Sequence, residues 1–135
     1  MPSQIFVNLP VKDLNLSVDF FTKLGFTFNP QFTDENATCM IVGENNYVML
    51  LVEPFFKGFS RREIPAPGKT AEVIIAISTD NRDKVKEMVR KAIEAGGKIS
   101  LEPKDHGFMY QESFEDLDGH LWEVFYMDES AIPNP

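Results

Sequence analysis

The sequence has few of the residues that form disulfides or bind transition metals. It contains one cysteine, Cys39, and two histidines among 135 residues. One cysteine cannot form a bridge within the chain, and an iron oxygenase needs two histidines and a carboxylate at one site. His106 falls in a predicted loop. His120 lies three residues before Glu123 on a predicted strand, so the side chains of His120 and Glu123 project from opposite faces of that strand. A disulfide scaffold and a non-haem iron centre are both disfavoured.

The sequence also lacks an excess of positive charge and any long apolar run. It has 13 Lys and Arg against 21 Asp and Glu, a net charge of −8, which repels phosphate backbones. No apolar stretch approaches the roughly 20 residues that a membrane-spanning helix needs. We therefore expect a soluble cytoplasmic protein that binds neither nucleic acid nor a membrane.

What the chain does contain is a repeated order of predicted elements. With 43% hydrophobic residues, including 12 Phe, it can build a core without metal or disulfides. Alternation, helical periodicity and turn residues predict a strand, a helix and three strands, twice over. The first set comprises a strand at 5–11, a helix capped by Asp13 or Asn15 and ended by Gly25, and strands at 26–28, 37–42 and 47–52. The second comprises a strand at 72–77, a helix capped by Thr79 or Asp80, a strand at 98–101, and a hairpin of 109–115 with 120–127.

This order predicts an α+β fold. We expect one domain, residues 1–135, made of two tandem βαβββ modules at about 4–53 and 71–128. The modules are predicted to form a half-open mixed β-barrel around a cavity, with the helices outside. Residues 54–70 form a linker without predicted secondary structure, carrying Phe55, Phe56 and Phe59. Whether these aromatics close the cavity, contact a second chain or complete the core stays open.

Three features together resemble a known superfamily. They are the paired βαβββ order, the stretch Val11-Lys12-Asp13-Leu14 before a helix with Phe20-Phe21 near its middle, and Asp116-Leu117-Asp118-Gly119 with Glu123 four residues later. The chain resembles the vicinal oxygen chelate superfamily of glyoxalase I, extradiol dioxygenases, fosfomycin-modifying enzymes and bleomycin-resistance proteins. It looks most similar to the small bacterial glyoxalase-like members. The resemblance and the hydrophobic linker together imply a homodimer.

The resemblance also implies four positions for metal ligands. Metal-using members place a His or Gln on the first strand of each module and a Glu on each last strand. These positions correspond here to Phe6, Met49, Glu72 and Glu123. Phenylalanine cannot ligate, and a thioether suits Cu(I) rather than harder ions. Glu72 and Glu123 alone would hold a divalent ion weakly, so we expect no cofactor and predict a degenerate metal site.

Glu123 is the central candidate site residue. It can act as a general base whose pKa is raised by apolar walls, or as a carboxylate hydrogen-bonded at the floor of a cavity. Glu112 is predicted to pair with Glu123 across the hairpin, and Tyr110 to share its face. The predicted cavity residues are Phe6, Asn8, Met49, Glu72, Ser78, Tyr110, Glu112 and Phe125.

Two functions remain open from the sequence. The first is a small-molecule-binding protein whose acidic, apolar cavity favours a cationic or hydrogen-bond-donating ligand. The alternative is a lyase or isomerase, similar to lactoylglutathione lyase, that acts on a small carbonyl substrate with Glu123 as base or weak metal ligand.

Overall fold

The computed structural model describes residues 1–132 and divides into two compact units between Ala66 and Pro67. The first unit contains β1 (Ile5–Val11), α1 (Leu14–Lys23), β2 (Thr27–Asn29), β3 (Ala37–Gly43), β4 (Asn46–Val52) and α2 (Glu53–Ser60). The second contains β5 (Ile74–Ser78), α3 (Arg82–Glu94), β6 (Lys98–Ile99), β7 (Lys104–Asp105), β8 (Met109–Glu115) and β9 (Leu121–Met127). Short 3₁₀ turns follow β2, at Pro30–Phe32, and β9, at Glu129–Ala131. No helix within residues 1–132 is long and apolar enough to cross a membrane.

The first unit is a four-stranded sheet in the order β1-β4-β3-β2. β1 runs parallel to β4, and the other pairs are antiparallel. Asp13 caps α1 by accepting a hydrogen bond from the backbone N–H of Leu16 at 3.1 Å. Phe20 and Phe21 on α1 are fully buried, which fixes the helix to one face of the sheet.

The second unit is a five-stranded sheet in the order β5-β9-β8-β6, with β7 also paired to β8. β5 runs parallel to β9, and β8 and β9 form the predicted antiparallel hairpin. Val85, Val89 and Ala92 of α3 are buried at helical spacing. Trp122 on β9 is 0% exposed, so it lies in the core, as its alternation with Glu123 predicts. We call the sheet face opposite α1 or α3 the open face of each unit.

The α+β fold class is as predicted, and the first unit contains the predicted strand, helix and three strands in that order along the chain. Neither sheet closes on itself: β1 and β2 form the edges of one, β5 and β6 those of the other. The joint half-open barrel stays a prediction. The second module differs from the first by the short additional strand β7, which the sequence did not indicate.

Several element limits and one helix cap differ from the prediction; β6, for example, ends at Ile99 rather than at residue 101. The helix α2 takes up residue 53, the last of the predicted first module, and residues 54–60 of the predicted irregular linker, because Pro54 fits the first turn of a helix and Arg61 ends it in the left-handed region at φ 55°. β5 begins at Ile74 rather than residue 72, since Glu72 and Val73 lack strand pairing. Asn81 caps α3, accepting from the backbone N–H of Lys84 at 2.8 Å, where Thr79 or Asp80 was predicted.

The β8–β9 turn is built around a buried carboxylate. Asp116 is 6% exposed, and it accepts hydrogen bonds from the backbone N–H groups of Asp118 and His120, each at 3.0 Å. Its other oxygen accepts from the indole N–H of Trp122 at 2.9 Å. Burial raises the pKa of the Asp116 carboxyl, while the nearby His120 and these donors oppose that shift. Gly119, at φ 80°, completes a three-residue loop of the kind that ends in a left-handed residue.

We predict that Asp116→Ala lowers the free energy of unfolding by about 2–4 kcal/mol, because three donors, one of them buried in the core, lose their acceptor. Urea denaturation followed by the fluorescence of Trp122, the single tryptophan, measures this. Asp128→Ala is the matched control: within residues 1–132 the Asp128 carboxylate accepts only from the N–H and hydroxyl of the exposed Ser130, so its loss should cost about 1 kcal/mol or less. Equal effects of the two substitutions would contradict the buried network.

Candidate functional site

A cavity of about 390 Å³ lies on the open face of the second unit. Its walls come from three places: the open face of strands β5, β8 and β9, the end of β6 with the two residues after it, and the segment that precedes β5. The lining residues are Gly68, Lys69, Thr70, Ala71, Ile74, Ile99, Ser100, Leu101, Ser113, Glu115, Gly119, Leu121, Trp122 and Glu123. The whole cavity is therefore built by the second unit.

Strand register brings Glu123 into this cavity. It pairs with Ala76 of β5 on one side and with Ser113 of β8 on the other, and paired residues project from the same face. Its neighbours Trp122 and Val124 are buried on the opposite, helix-facing side. Glu123 itself is half-buried, and no residue of the described range 1–132 donates a hydrogen bond to its carboxylate. Its carboxylate is thus an open acceptor within the cavity.

Charged groups line the cavity without pairing to each other. Glu115 and Glu123 contribute carboxylates, and Lys69 contributes an ammonium. The salt bridges recorded within residues 1–132 all lie elsewhere, four of them between residues four apart in sequence. The cavity therefore keeps both signs of charge available to a ligand.

The rest of the lining is mostly aliphatic. Ile74, Ile99 and Leu101 are 56%, 62% and 51% exposed, although burial of such side chains is favourable at about 25 cal/mol per Å². The hydroxyl of Ser113 accepts from the backbone N–H of Leu101 at 3.0 Å, which holds the chain after β6 against β8. Exposed apolar side chains around a few polar groups are typical of a small-molecule site.

One wall rests on the β8–β9 turn. A Cβ atom built on Gly119 would lie 2.9 Å from the Cβ of Pro67, which is closer than real Cβ contacts occur, and 3.2 Å from its Cα. Only glycine at this position lets the chain at Pro67 and Gly68 approach the turn. The segment of residues 67–71, which carries Lys69, therefore packs against the β8–β9 turn at Gly119.

Two predicted cavity residues lie on the wrong face. Glu112 pairs with Val124, not with Glu123, so Glu112 and Tyr110 project toward α3. There the Tyr110 hydroxyl donates to Glu112 at 2.7 Å. Burial, and to a lesser extent the hydrogen bond to the Glu112 carboxylate, raises the pKa of Tyr110 to about 12. The prediction that they share a face with Glu123 was wrong, because the three-residue loop shifts the pairing by one residue and reverses the face.

The other predicted residues are dispersed. Phe6, Asn8 and Met49 lie on the open face of the first unit, where Asn8 pairs with Met49 and the Phe6 ring stacks on Tyr47 at 4.7 Å between centroids. Ser78 and Phe125 pair with each other on the open face of the second unit, outside the cavity lining. Glu72 is exposed before β5 and also lies outside the lining. Glu123 alone of the predicted set lines the cavity.

The register also changes one of the four implied ligand positions. Met49 pairs with Asn8, and its counterpart Glu123 pairs with Ala76, so Phe6 corresponds to Ile74. The assignment of Glu72 to that position was wrong, because β5 starts two residues later than predicted. The four positions hold Phe6, Met49, Ile74 and Glu123, which offer one hard donor. Within residues 1–132 no group of three or more His, Cys, Asp or Glu is arranged to hold a metal.

His106 lies in an exposed loop tied to α3, away from the cavity. Arg82 donates to both oxygens of Asp105, at 2.6 and 3.2 Å, and to the carbonyl of Gly107 at 3.1 Å. This pairing lowers the pKa of Asp105 to about 2. The loop is therefore held by a charge-assisted clamp, and His106 is not a cavity residue.

Comparison with known proteins places the chain in a family. The model of the Glyoxalase/Bleomycin resistance protein/Dioxygenase superfamily matches residues 4–124, and the chain belongs to this superfamily, as the sequence resemblance predicted. It is similar to the solved structure of hypothetical protein SA1046 from S. aureus, with 30% identity over 93% of this chain and 95% of that chain and a TM-score of 0.80. No match was found among curated proteins.

Two further structures share the fold. One is a glyoxalase/bleomycin resistance protein/dioxygenase family enzyme from Burkholderia phytofirmans PsJN, with 16% identity, 90% and 96% coverage and a TM-score of 0.75. The other is a glyoxalase-related enzyme from Fulvimarina pelagi, with 16% identity, 93% and 88% coverage and a TM-score of 0.78.

Several cavity residues were not found from the sequence. A hairpin loop of three residues would have placed Ser113 and Glu115 on the same face as Glu123. The signal for that loop in the sequence is Gly119 after Asp118. Lys69 carries no such signal, because residues 67–71 have no regular pattern and reach the cavity through a tertiary contact.

We predict that Gly119→Ala lowers the free energy of unfolding by about 2–4 kcal/mol, the sum of left-handed strain and the clash with Pro67. Gly107→Ala is the control: Gly107 has nearly the same φ, 81°, but open space around it, so it should cost about 1–2 kcal/mol. Denaturation gives the energies, and amide chemical shifts show where the backbone moves. Equal costs, or unchanged shifts at residues 67–71 in Gly119→Ala, would contradict the seating of this wall.

Proposed function

We propose that this protein binds a small organic molecule in the cavity of the second unit, without a tightly held metal. Glu123 receives a cationic or hydrogen-bond-donating group of that molecule. The observation that carries the proposal is the half-buried Glu123 carboxylate, which lines an aliphatic cavity and lacks a donor among residues 1–132.

The energetics support a charged contact at this position. A charge-assisted hydrogen bond to a carboxylate contributes about 1.5–3 kcal/mol, roughly twice a neutral bond. The exposed side chains of Ile74, Ile99 and Leu101 lose contact with water when an apolar body covers them. A ligand with an aliphatic body and a donor group satisfies both parts of the lining.

The donor set does not fit the metal of the family. Phe6 and Ile74 have no donor atom, and the thioether of Met49 is a poor partner for Mg²⁺, Mn²⁺, Ni²⁺ or Zn²⁺. Glu123 alone would leave such an ion with water for its remaining ligands. We infer that the site is degenerate with respect to metal and that binding does not depend on one.

The alternative, a lyase or isomerase, uses the same residue. An open carboxylate acceptor is what a general base requires, and Glu123 would remove a proton next to a carbonyl group. A base of this kind works beside a group that stabilises the enolate oxygen, and Lys69 is the one cationic side chain in the described lining. Turnover of a carbonyl substrate that falls by about 10²-fold or more in Glu123→Gln would establish this alternative.

The binding proposal is tested with hexylammonium, which matches an aliphatic, acidic cavity. We predict that Glu123→Gln weakens its binding by about 1–3 kcal/mol, because the charge-assisted bond is lost while shape is kept. Titration followed by amide NMR in the presence of EDTA measures the affinity. Glu112→Gln is the matched control, since Glu112 lies on the opposite face, and it should leave the affinity unchanged.

Two results would contradict the proposal. Binding that is insensitive to Glu123→Gln would remove the carboxylate from the site, and binding that disappears in EDTA would show a required metal. The homodimer stays a prediction, which light scattering over a range of protein concentrations tests.

A further inference from the structure

We propose that the ligand is a zwitterion: it presents an anionic group to Lys69 as well as a cationic group to Glu123. This inference rests on the proposed function and narrows its ligand class. The juxtaposition that carries it is an ammonium and two carboxylates lining one aliphatic cavity without pairing to one another.

Lys69 is brought to the cavity by the fold of the main chain. It follows Gly68, whose φ of 78° turns the chain, and Pro67, which sits against Gly119 of the β8–β9 turn. This seating fixes the backbone of the wall that carries Lys69. The lysine is therefore placed at the lining by a specific main-chain approach that any other residue at position 119 would obstruct.

Lys69 is not neutralised within the described part of the chain. No salt bridge or hydrogen bond is recorded for its ammonium, nor for the side chains of Glu115 and Glu123, although all three line the same cavity. Elsewhere the chain does pair its charges when they come within reach, as Lys57 with Glu63 and Arg82 with Asp105 show. The three lining charges are available to a ligand of matching pattern.

The charge pattern discriminates among ligand classes. A simple cation gains from the two carboxylates but is repelled by Lys69, and a simple anion is repelled by both carboxylates. A zwitterion with an aliphatic spacer places each of its charges near the opposite one and covers Ile74, Ile99 and Leu101 with the spacer. Amino-acid-like molecules with separated charged ends have this chemistry.

The probes are ω-amino acids, from glycine to 8-aminooctanoate, each compared with the alkylammonium and the alkanoate of the same length. At neutral pH we expect one spacer length to bind about 5- to 30-fold more tightly than its matched alkylammonium, the gain of one charged contact at a partly exposed site. Amide NMR titration measures all three classes on the same protein sample.

Variants assign the two ends of the zwitterion. In Lys69→Gln the advantage of the zwitterion over the matched alkylammonium should disappear, while alkylammonium binding is kept or improved. In Glu123→Gln the advantage of the zwitterion over the alkanoate should shrink by a similar factor. Lys104→Gln is the control, because Lys104 is an exposed lysine of the same unit outside the cavity, and it should change neither ratio.

The outcomes separate this inference from the proposed function. If alkylammonium ions bind as tightly as every zwitterion and Lys69→Gln has no effect, the zwitterion inference is overturned and the binding proposal stands. If none of the three probe classes binds, both fail. If Lys104→Gln removes the advantage as fully as Lys69→Gln does, the effect is one of net charge and Lys69 has no specific role.

Discussion

The second unit depends on the hydrogen bonds to one buried carboxylate. Asp116 holds the indole of Trp122 in the core and the backbone N–H groups of its own turn, so the length of that turn is fixed. Turn length sets the register of β8 with β9, and register decides which side chains face α3 and which face the cavity. Glu123 reaches the cavity because its neighbour Trp122 is held on the other side.

The same turn also positions the opposite wall of the cavity. Its last residue, Gly119, has no side chain, and the chain at Pro67 occupies the space that a Cβ would fill. A single structural device thus places both charges that the proposed ligand meets, Glu123 through strand register and Lys69 through the seated segment. The two modules share an order of elements, but within residues 1–132 this pairing of a turn with two cavity walls is found in the second unit. At the matching register positions the first unit has Asn8, Cys39 and Met49, where the second has Ala76, Ser113 and Glu123.

Most of the fold could be predicted from the sequence, because local signals agree with the tertiary structure. Asp13 caps α1, the β8–β9 hairpin has nearly its predicted limits, and Trp122 is buried by alternation. The errors arose where a shift of one or two residues changes which residue occupies a given position in the sheet. Pairing Glu112 with Glu123 missed the three-residue loop, and starting β5 at residue 72 put Glu72 where Ile74 lies. The wall at residues 67–71 could not be predicted, since it is fixed by contact with a distant turn rather than by a local pattern.

The central claim is that ligand binding takes place on the open face of the second unit, around Glu123 and independent of metal. Mapping of amide chemical shifts on ¹⁵N-labelled wild-type protein during titration with hexylammonium tests it most directly. The account predicts that the largest changes fall at residues 68–71, 99–101, 113–115 and 121–123. Changes confined to residues 6–8 and 47–49 of the first unit, with none along the strand of Glu123, would contradict it.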